Sequence, residues 1–269
     1  MKIQAPDAWT FAGGGGGVLI AVLDTGIDDT NPSLRGKIVD RVNFTQSSAK
    51  DINGHGTYIA GIIAAAKLDS PILGVSYNCK LLDVKVAEDS GFTDFSKVAK
   101  GILWAADHGA NVINLSLVIN REDPSLEAAV NYAWEKGCTL VAAAGNIPSS
   151  NKVYPAAYAV VLAVVASDKD DKLAKWSNRG DWVDVMAPGV EIYSISSDNR
   201  VISKSGTSCS AALVSGEAAI LYTKIQDTNG NGFKNDELIA AIISGCDQSS
   251  GGSVMGRINV FKSVEVIKK

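Results

Sequence analysis

Five apolar runs of strand length recur along this chain, at 18–23, 81–86, 112–115, 139–144 and 160–165, and several are rich in β-branched residues. A strand that is apolar at successive positions must bury both faces. Segments with helical spacing lie between several of these runs, at 55–66, 95–108 and 124–136, the last with Pro124 at its start. Strands buried on both faces and alternating with helices predict a parallel sheet covered by helices on each side, an α/β architecture. Two longer helical stretches follow at 208–225 and 237–243, then a short one at 260–267. No Pro- or Ser-rich linker and no internal repeat divides the 269 residues, so a single domain over 1–269 is expected.

Charge and composition exclude several classes of function. Lys and Arg total 25 against 29 Asp and Glu, a formal net charge of −4, and no basic stripe stands out, so no nucleic-acid partner is expected. No apolar stretch nears the roughly 20 residues of a membrane span. The N-terminus lacks the charged start, apolar run and cleavage site of a signal peptide. Cys79, Cys138, Cys209 and Cys246 are scattered without a CxxC pair, which reads as small buried residues rather than zinc ligands. The run Gly13–Gly17 precedes its strand. A phosphate-cradling glycine loop would follow the strand and open a helix, so this run reads as a flexible entry loop.

Four short segments carry the chemistry. Asp24, in Asp24-Thr25-Gly26, follows a buried strand and so stands at the sheet edge where active sites form; alone it also fits an Asx turn. There are two histidines. His108 closes a helix before Gly109, a position that suits a structural cation. His55 lies between Gly54 and Gly56, which no capping rule requires. Ser208 sits in Ser205-Gly206-Thr207-Ser208 before an apolar helix, as a cap or as a nucleophile beside helix amides. Asn146 ends the segment Ala142-Ala143-Ala144-Gly145-Asn146, as a turn residue or as an amide donor.

Asp-Thr-Gly, Gly-His-Gly-Thr and Gly-Thr-Ser, in this order, resemble the subtilisin family of serine proteases. The similarity runs from 3–9 through 101–105, 112–117 and 184–189 to 256–260. The resemblance implies a subtilisin-like α/β fold and a serine endopeptidase working through an acyl-enzyme. Ser208 would be the nucleophile, His55 the base and Asp24 its partner, with the Asn146 amide and the Ser208 N–H as oxyanion donors. It implies polypeptide substrates held as an added strand by Ser90, Gly91 and Phe92 and by Leu115, Ser116, Leu117 and Val118. A neutral His55 base implies activity rising through about pH 6–8. A transpeptidase or macrocyclase on the same scaffold and a non-catalytic binding protein are the alternatives.

The chain departs from the family at several points. Val118 and Ile119 follow Ser116-Leu117 where Gly is usual, and their Cβ atoms are expected either to narrow the primary pocket or to shift the segment. Cys209 replaces a common Met beside the nucleophile, either as a redox-sensitive thiol or as a buried neutral one. Ala212 and Leu213 replace a frequent Pro-His pair. No cofactor is required for catalysis. The family's strong calcium site is expected to be empty, because Ser33 takes the place of its aspartate and the loop 67–71 lacks the usual asparagines. Asp227, Asn229 and Asn231 instead match the first half of a calcium loop, although Leu238 stands at the twelfth position with Asp236 and Glu237 beside it. The other reading is a polar turn with Asn235 capping the next helix. The family is usually made with a pro-segment, which is not seen in this sequence, and it is mostly exported, with intracellular branches. The sequence does not fix the location.

Overall fold

The computed structural model describes residues 2–66, 71–248 and 256–268. Seven strands form one parallel sheet: β1 (Leu19–Asp24), β2 (Ile38–Asn43), β3 (Lys80–Lys85), β4 (Val112–Leu115), β5 (Thr139–Ala143), β6 (Val161–Ser167) and β7 (Val185–Pro188). Their order is β2-β3-β1-β4-β5-β6-β7, and every neighbouring pair is parallel. From β1 the chain passes to the edge strand β2, fills the gap between them with β3, and then crosses to the other side of β1 with β4. The carboxyl ends of β1 and β4 therefore flank the point where the order reverses, and the crevice of an open α/β sheet forms there.

The sequence pattern explains the layers. Along β1, Ile20 and Val22 enter one core and Ala21 and Leu23 the other, since successive side chains point to opposite faces. The first core packs under α2 (His55–Ala64) and α5 (Thr207–Tyr222), with Ile59, Ile63, Val214 and Ile220 fully buried. The second packs under α3 (Phe95–Asp107) and α4 (Pro124–Glu135), through Val98, Ile102, Leu126 and Val130. Helices α3 and α4 begin on Asp94 and Asp123, whose side chains accept from backbone N–H groups of the first turn. Helix α5 is buried nearly all round, as expected of a helix apolar on every side. Helices α6 (Asn235–Gly245) and α7 (Val260–Ile267) close the chain.

Some elements were not legible in the pattern. Helix α1 (Ala5–Ala12) is short, and β2 places Asp40 and Arg41 at an exposed sheet edge. An antiparallel hairpin, β8 (Ile192–Ile195) with β9 (Val201–Lys204), packs over α2. The glycine run is a packed turn rather than a flexible loop. A Cβ on Gly14 would lie 2.7 Å from the Tyr77 ring, and the Gly14 carbonyl accepts from Asn78 N at 2.7 Å. No helix among the described residues is long and apolar enough to cross a membrane.

Candidate active site

Asp24, His55, Asn146 and Ser208 line one cleft of about 500 Å³ at the carboxyl edge of the sheet. Asp24 ends β1 and is 3 % exposed. Its Oδ1 and Oδ2 lie 2.7 and 2.9 Å from His55 Nδ1, and Oδ1 also accepts from Thr25 N at 2.8 Å. A carboxylate on Nδ1 fixes the proton there and leaves Nε2 as the basic nitrogen. His55 is the first residue of α2, delivered by Gly54 in the left-handed region at φ +81°. Gly56 is required for a different reason. A Cβ there would lie 2.0 Å from the Gly26 carbonyl oxygen, so only glycine lets the two loops meet this closely.

Asp51, which the sequence reading missed, joins those loops. It is buried and accepts four bonds: from Thr25 Oγ1 and Gly54 N on Oδ1 (2.8 Å each), and from Thr57 N (2.9 Å) and Thr57 Oγ1 (2.6 Å) on Oδ2. Burial works against a charged His55, as does Lys204. The Asp24 carboxylate, by charge and by hydrogen bond, and Asp51 more than offset this and hold the imidazole above its ordinary 6.5.

Ser208 is the second residue of α5, where N–H groups have no intrahelical acceptor. Its hydroxyl donates to the Ser116 carbonyl at 3.2 Å, and Ser116 Oγ donates to the Ser208 carbonyl at 3.2 Å. Ser208 Oγ makes no direct hydrogen bond to the His55 ring. Thr207 sets the orientation of Asn146. Asn146 Oδ1 accepts from Thr207 N and Oγ1 at 2.9 Å each, and Thr207 Oγ1 accepts from Gly145 N at 3.0 Å. With its oxygen so engaged, Asn146 keeps its Nδ2 donors for the cleft that it lines together with Ser208. Asn178 supports the same loop, since its N–H donates to the Gly145 carbonyl (3.0 Å) and its Oδ1 accepts from Ile147 N (3.1 Å).

Of the proposed substrate-binding residues, Gly91, Phe92, Ser116, Leu117 and Val118 line the cleft. Leu115 does not. It ends β4, pairs in register with Leu23 and is fully buried in the core under α3 and α4, because side chains alternate along the strand. Cys209 is 2 % exposed, and burial pushes its thiol up to about 11, so it is neutral and poorly reactive. His108 caps α3, donates from Nδ1 to the Trp104 carbonyl at 2.7 Å and stacks on the Trp104 ring.

The 227–237 loop closes on itself. Asp227 accepts from Gly230 N and Gly232 N, Asn229 Oδ1 from Asn231 N, and Asn231 Oδ1 from Phe233 N. Leu238 is fully buried, so nothing there can ligate. Asn235 is not a cap; it starts α6 and turns its amide to the Trp134 carbonyl at 2.9 Å. Among the described residues no three His, Cys, Asp or Glu side chains converge as a metal-binding group. Asp236 Oδ1 and Glu237 Oε2 are buried atoms without a hydrogen-bond partner. Ser33 is buried in the turn after Asn31, whereas 67–70, in the loop of the family calcium site expected to be empty, lie outside the described residues.

The model of the subtilase family matches residues 15–254. A "Thermophilic serine proteinase" of Bacillus sp. (strain AK1) is 43 % identical over 263 residues, which is 96 % of this chain and 64 % of that protein's length. Thermitase of Thermoactinomyces vulgaris is 40 % identical over 270 residues, covering 98 % of this chain and 94 % of thermitase. The crystal structure of a cold adapted subtilisin-like serine proteinase superposes with a TM-score of 0.79 at 30 % identity, over 91 % of this chain and 88 % of that one. With its parallel sheet, its ordered motifs and these relatives together, the chain belongs to the subtilase family, a family of serine peptidases.

Proposed function

We propose that this chain, as one domain over 1–269, is a serine endopeptidase. The observation that carries the reading is the buried Asp24 carboxylate on His55 Nδ1 in the cleft that also holds Ser208 and the Thr207-oriented Asn146 amide. Substrate would enter as an extended segment between Gly91–Phe92 and Ser116–Val118. As it docks, Ser208 Oγ leaves the Ser116 carbonyl, turns to His55 Nε2 and attacks the peptide carbon; such bonds commonly tighten only in the complex. His55 takes the hydroxyl proton, and Asp24 stabilises the resulting imidazolium. Asn146 Nδ2 and the Ser208 N–H receive the oxyanion. Collapse breaks the C–N bond, and His55 returns its proton to the leaving amine. Water, deprotonated by His55, then hydrolyses the acyl-enzyme and frees Ser208. The side chains serve every proton transfer, so the reading invokes no cofactor.

Mass spectrometry of a denatured protein substrate incubated with the enzyme tests this reading. New N-termini with one water added per cut, absent with Ser208→Ala, are expected. Peptides joined to an added amine in preference to water would favour a transpeptidase; intact substrate would favour a binding protein.

A structural calcium at Asp227, Asn229 and Asn231 is the second part of the reading. The alternating oxygen residues and the unpartnered Asp236 Oδ1 and Glu237 Oε2 support it; the loop's self-closure weighs against it. Calcium in excess over chelator is expected to raise the melting temperature of the protein. An unchanged melting temperature removes the site and leaves a polar turn.

A further inference from the structure

A second cavity, about 230 Å³, adjoins the cleft and shares Val118, Gly145, Asn146 and Ile147 with it. The attacked residue of a substrate has its carbonyl oxygen on Asn146 and its carbonyl carbon at Ser208. Its side chain branches one bond from that carbon and must occupy space next to Asn146. Gly145 lets the Asn178 amide come close to the strand end: a Cβ there would lie 2.7 Å from Asn178 Nδ2 and 3.5 Å from Val118 Cγ1.

Asn178 lines this cavity and is 2 % exposed. Its Oδ1 is held by Ile147 N, which fixes the amide's orientation. Its Nδ2 donates to no acceptor among the described residues, and it is not sealed among the buried unpartnered atoms. A buried amide at a cavity wall, with its oxygen anchored and its Nδ2 unpartnered, is completed by a ligand acceptor. Val118, opposite, narrows the entrance for broad side chains. Lys152 borders both this cavity and a neighbouring depression holding Asp181 and Asp184, so the assignment rests on Asn178 and not on a charge.

Resting on the peptidase reading above, we infer that Asn178 and Val118 select substrates cleaved after an unbranched residue whose side chain ends in a carbonyl or carboxylate oxygen, glutamine or glutamate. A site built to donate to such an oxygen rejects an analogue of similar shape without one, because the amide is then left unpaired.

The test is kcat/KM on a peptide series differing only at the residue before the cut: glutamine, glutamate, methionine, phenylalanine and alanine. Methionine copies the slender shape without the oxygen. Glutamine and glutamate are expected to exceed methionine by about tenfold. Asn178→Asp keeps the acceptor for Ile147 N but removes the donors. It is expected to lower the glutamate-to-methionine ratio at least about tenfold and the glutamine ratio far less, because a glutamine amide can donate to the new carboxylate. Val118→Gly is expected to raise the phenylalanine-to-glutamine ratio. A parent that prefers methionine or phenylalanine while cleaving peptides would overturn this inference alone. So would an Asn178→Asp variant that lowers all substrates by one factor, since Asn178 would then only hold the Asn146 loop. No cleavage of any peptide would overturn the peptidase reading as well.

Discussion

At single residues, the site depends on groups that fix other groups. The Asp24 and Asp51 carboxylates hold His55 above 6.5, and a base must be neutral to act, so activity should rise with pH through a midpoint above that of free imidazole. The stability contribution has the opposite sense. A raised His contributes stability that is complete below its unfolded value and lost as pH rises through the folded one. Asp51→Asn removes one charge and leaves its donors mismatched. We expect kcat to fall by one to two orders of magnitude, about 1.4–2.7 kcal/mol, and the pH midpoint to drop. A pH–rate series of both proteins checks this; an unmoved midpoint would leave Asp51 a purely structural role. Asp24, His55, Asn146 and Ser208 were legible because each stands at a strand end or helix start beside glycine or threonine. Asp51, Thr207 and Asn178 were not, because their work lies in hydrogen bonds to backbone amides and side chains of other segments, which spacing does not encode.

Among the elements, α5 carries the most consequence, since it bears Ser208 at one end and is buried along its length. Within it, Glu217 is wholly buried. Oε1 accepts from Ser263 Oγ of α7 at 2.7 Å, and Oε2 has no partner. Burial pushes this carboxyl up to about 8, against the smaller opposing effects of Ser263 and Arg257. A carboxyl raised on folding contributes stability that is complete below about 4.5 and lost as pH rises through about 8. Melting curves between pH 5 and 9 should therefore fall with pH, and Glu217→Gln should flatten that fall by a few degrees. Equal slopes in the two proteins would contradict a neutral buried Glu217. The strands of the sheet interior and α2 to α7 were readable from periodicity because burial on two faces leaves little freedom of sequence. The edge strands β2 and β7 and the β8–β9 hairpin escaped: β2, β8 and β9 are half-exposed and tolerate polar residues where the pattern expects apolar ones, and β7, though buried, is only four residues long.

Across the whole molecule, the chain ends are tied together at the far edge of the sheet. Arg257 Nη2 donates to Asp247 at 2.7 Å, Nη1 donates to the Lys2 carbonyl at 2.8 Å, and Nε lies 2.9 Å from Asp171. The backbone beside it pairs with Met186 of β7, so this one side chain links N-terminal, central and C-terminal segments. Its carboxylate partners are 23–30 % exposed, which weakens each pair. Arg257→Ala is expected to cost about 1–3 kcal/mol in urea unfolding, below the full cost of breaking a buried pair. An undiminished unfolding midpoint would show these contacts to be idle. The α/β class was legible from the alternation of apolar runs and helices; this closure was not, because it joins residues more than 200 positions apart.

Asp24, His55, Asn146 and Ser208 meet in one cleft, and a fluorophosphonate probe reads that assembly in one step. The folded protein is treated with the probe, the adduct is mapped by peptide mass spectrometry, and Ser208→Ala and His55→Ala are run beside it. Stoichiometric labelling on Ser208, absent in Ser208→Ala and slowed by orders of magnitude in His55→Ala, is the predicted result. Labelling at another residue, or at the same rate without His55, would contradict a nucleophile activated by the Asp24–His55 pair.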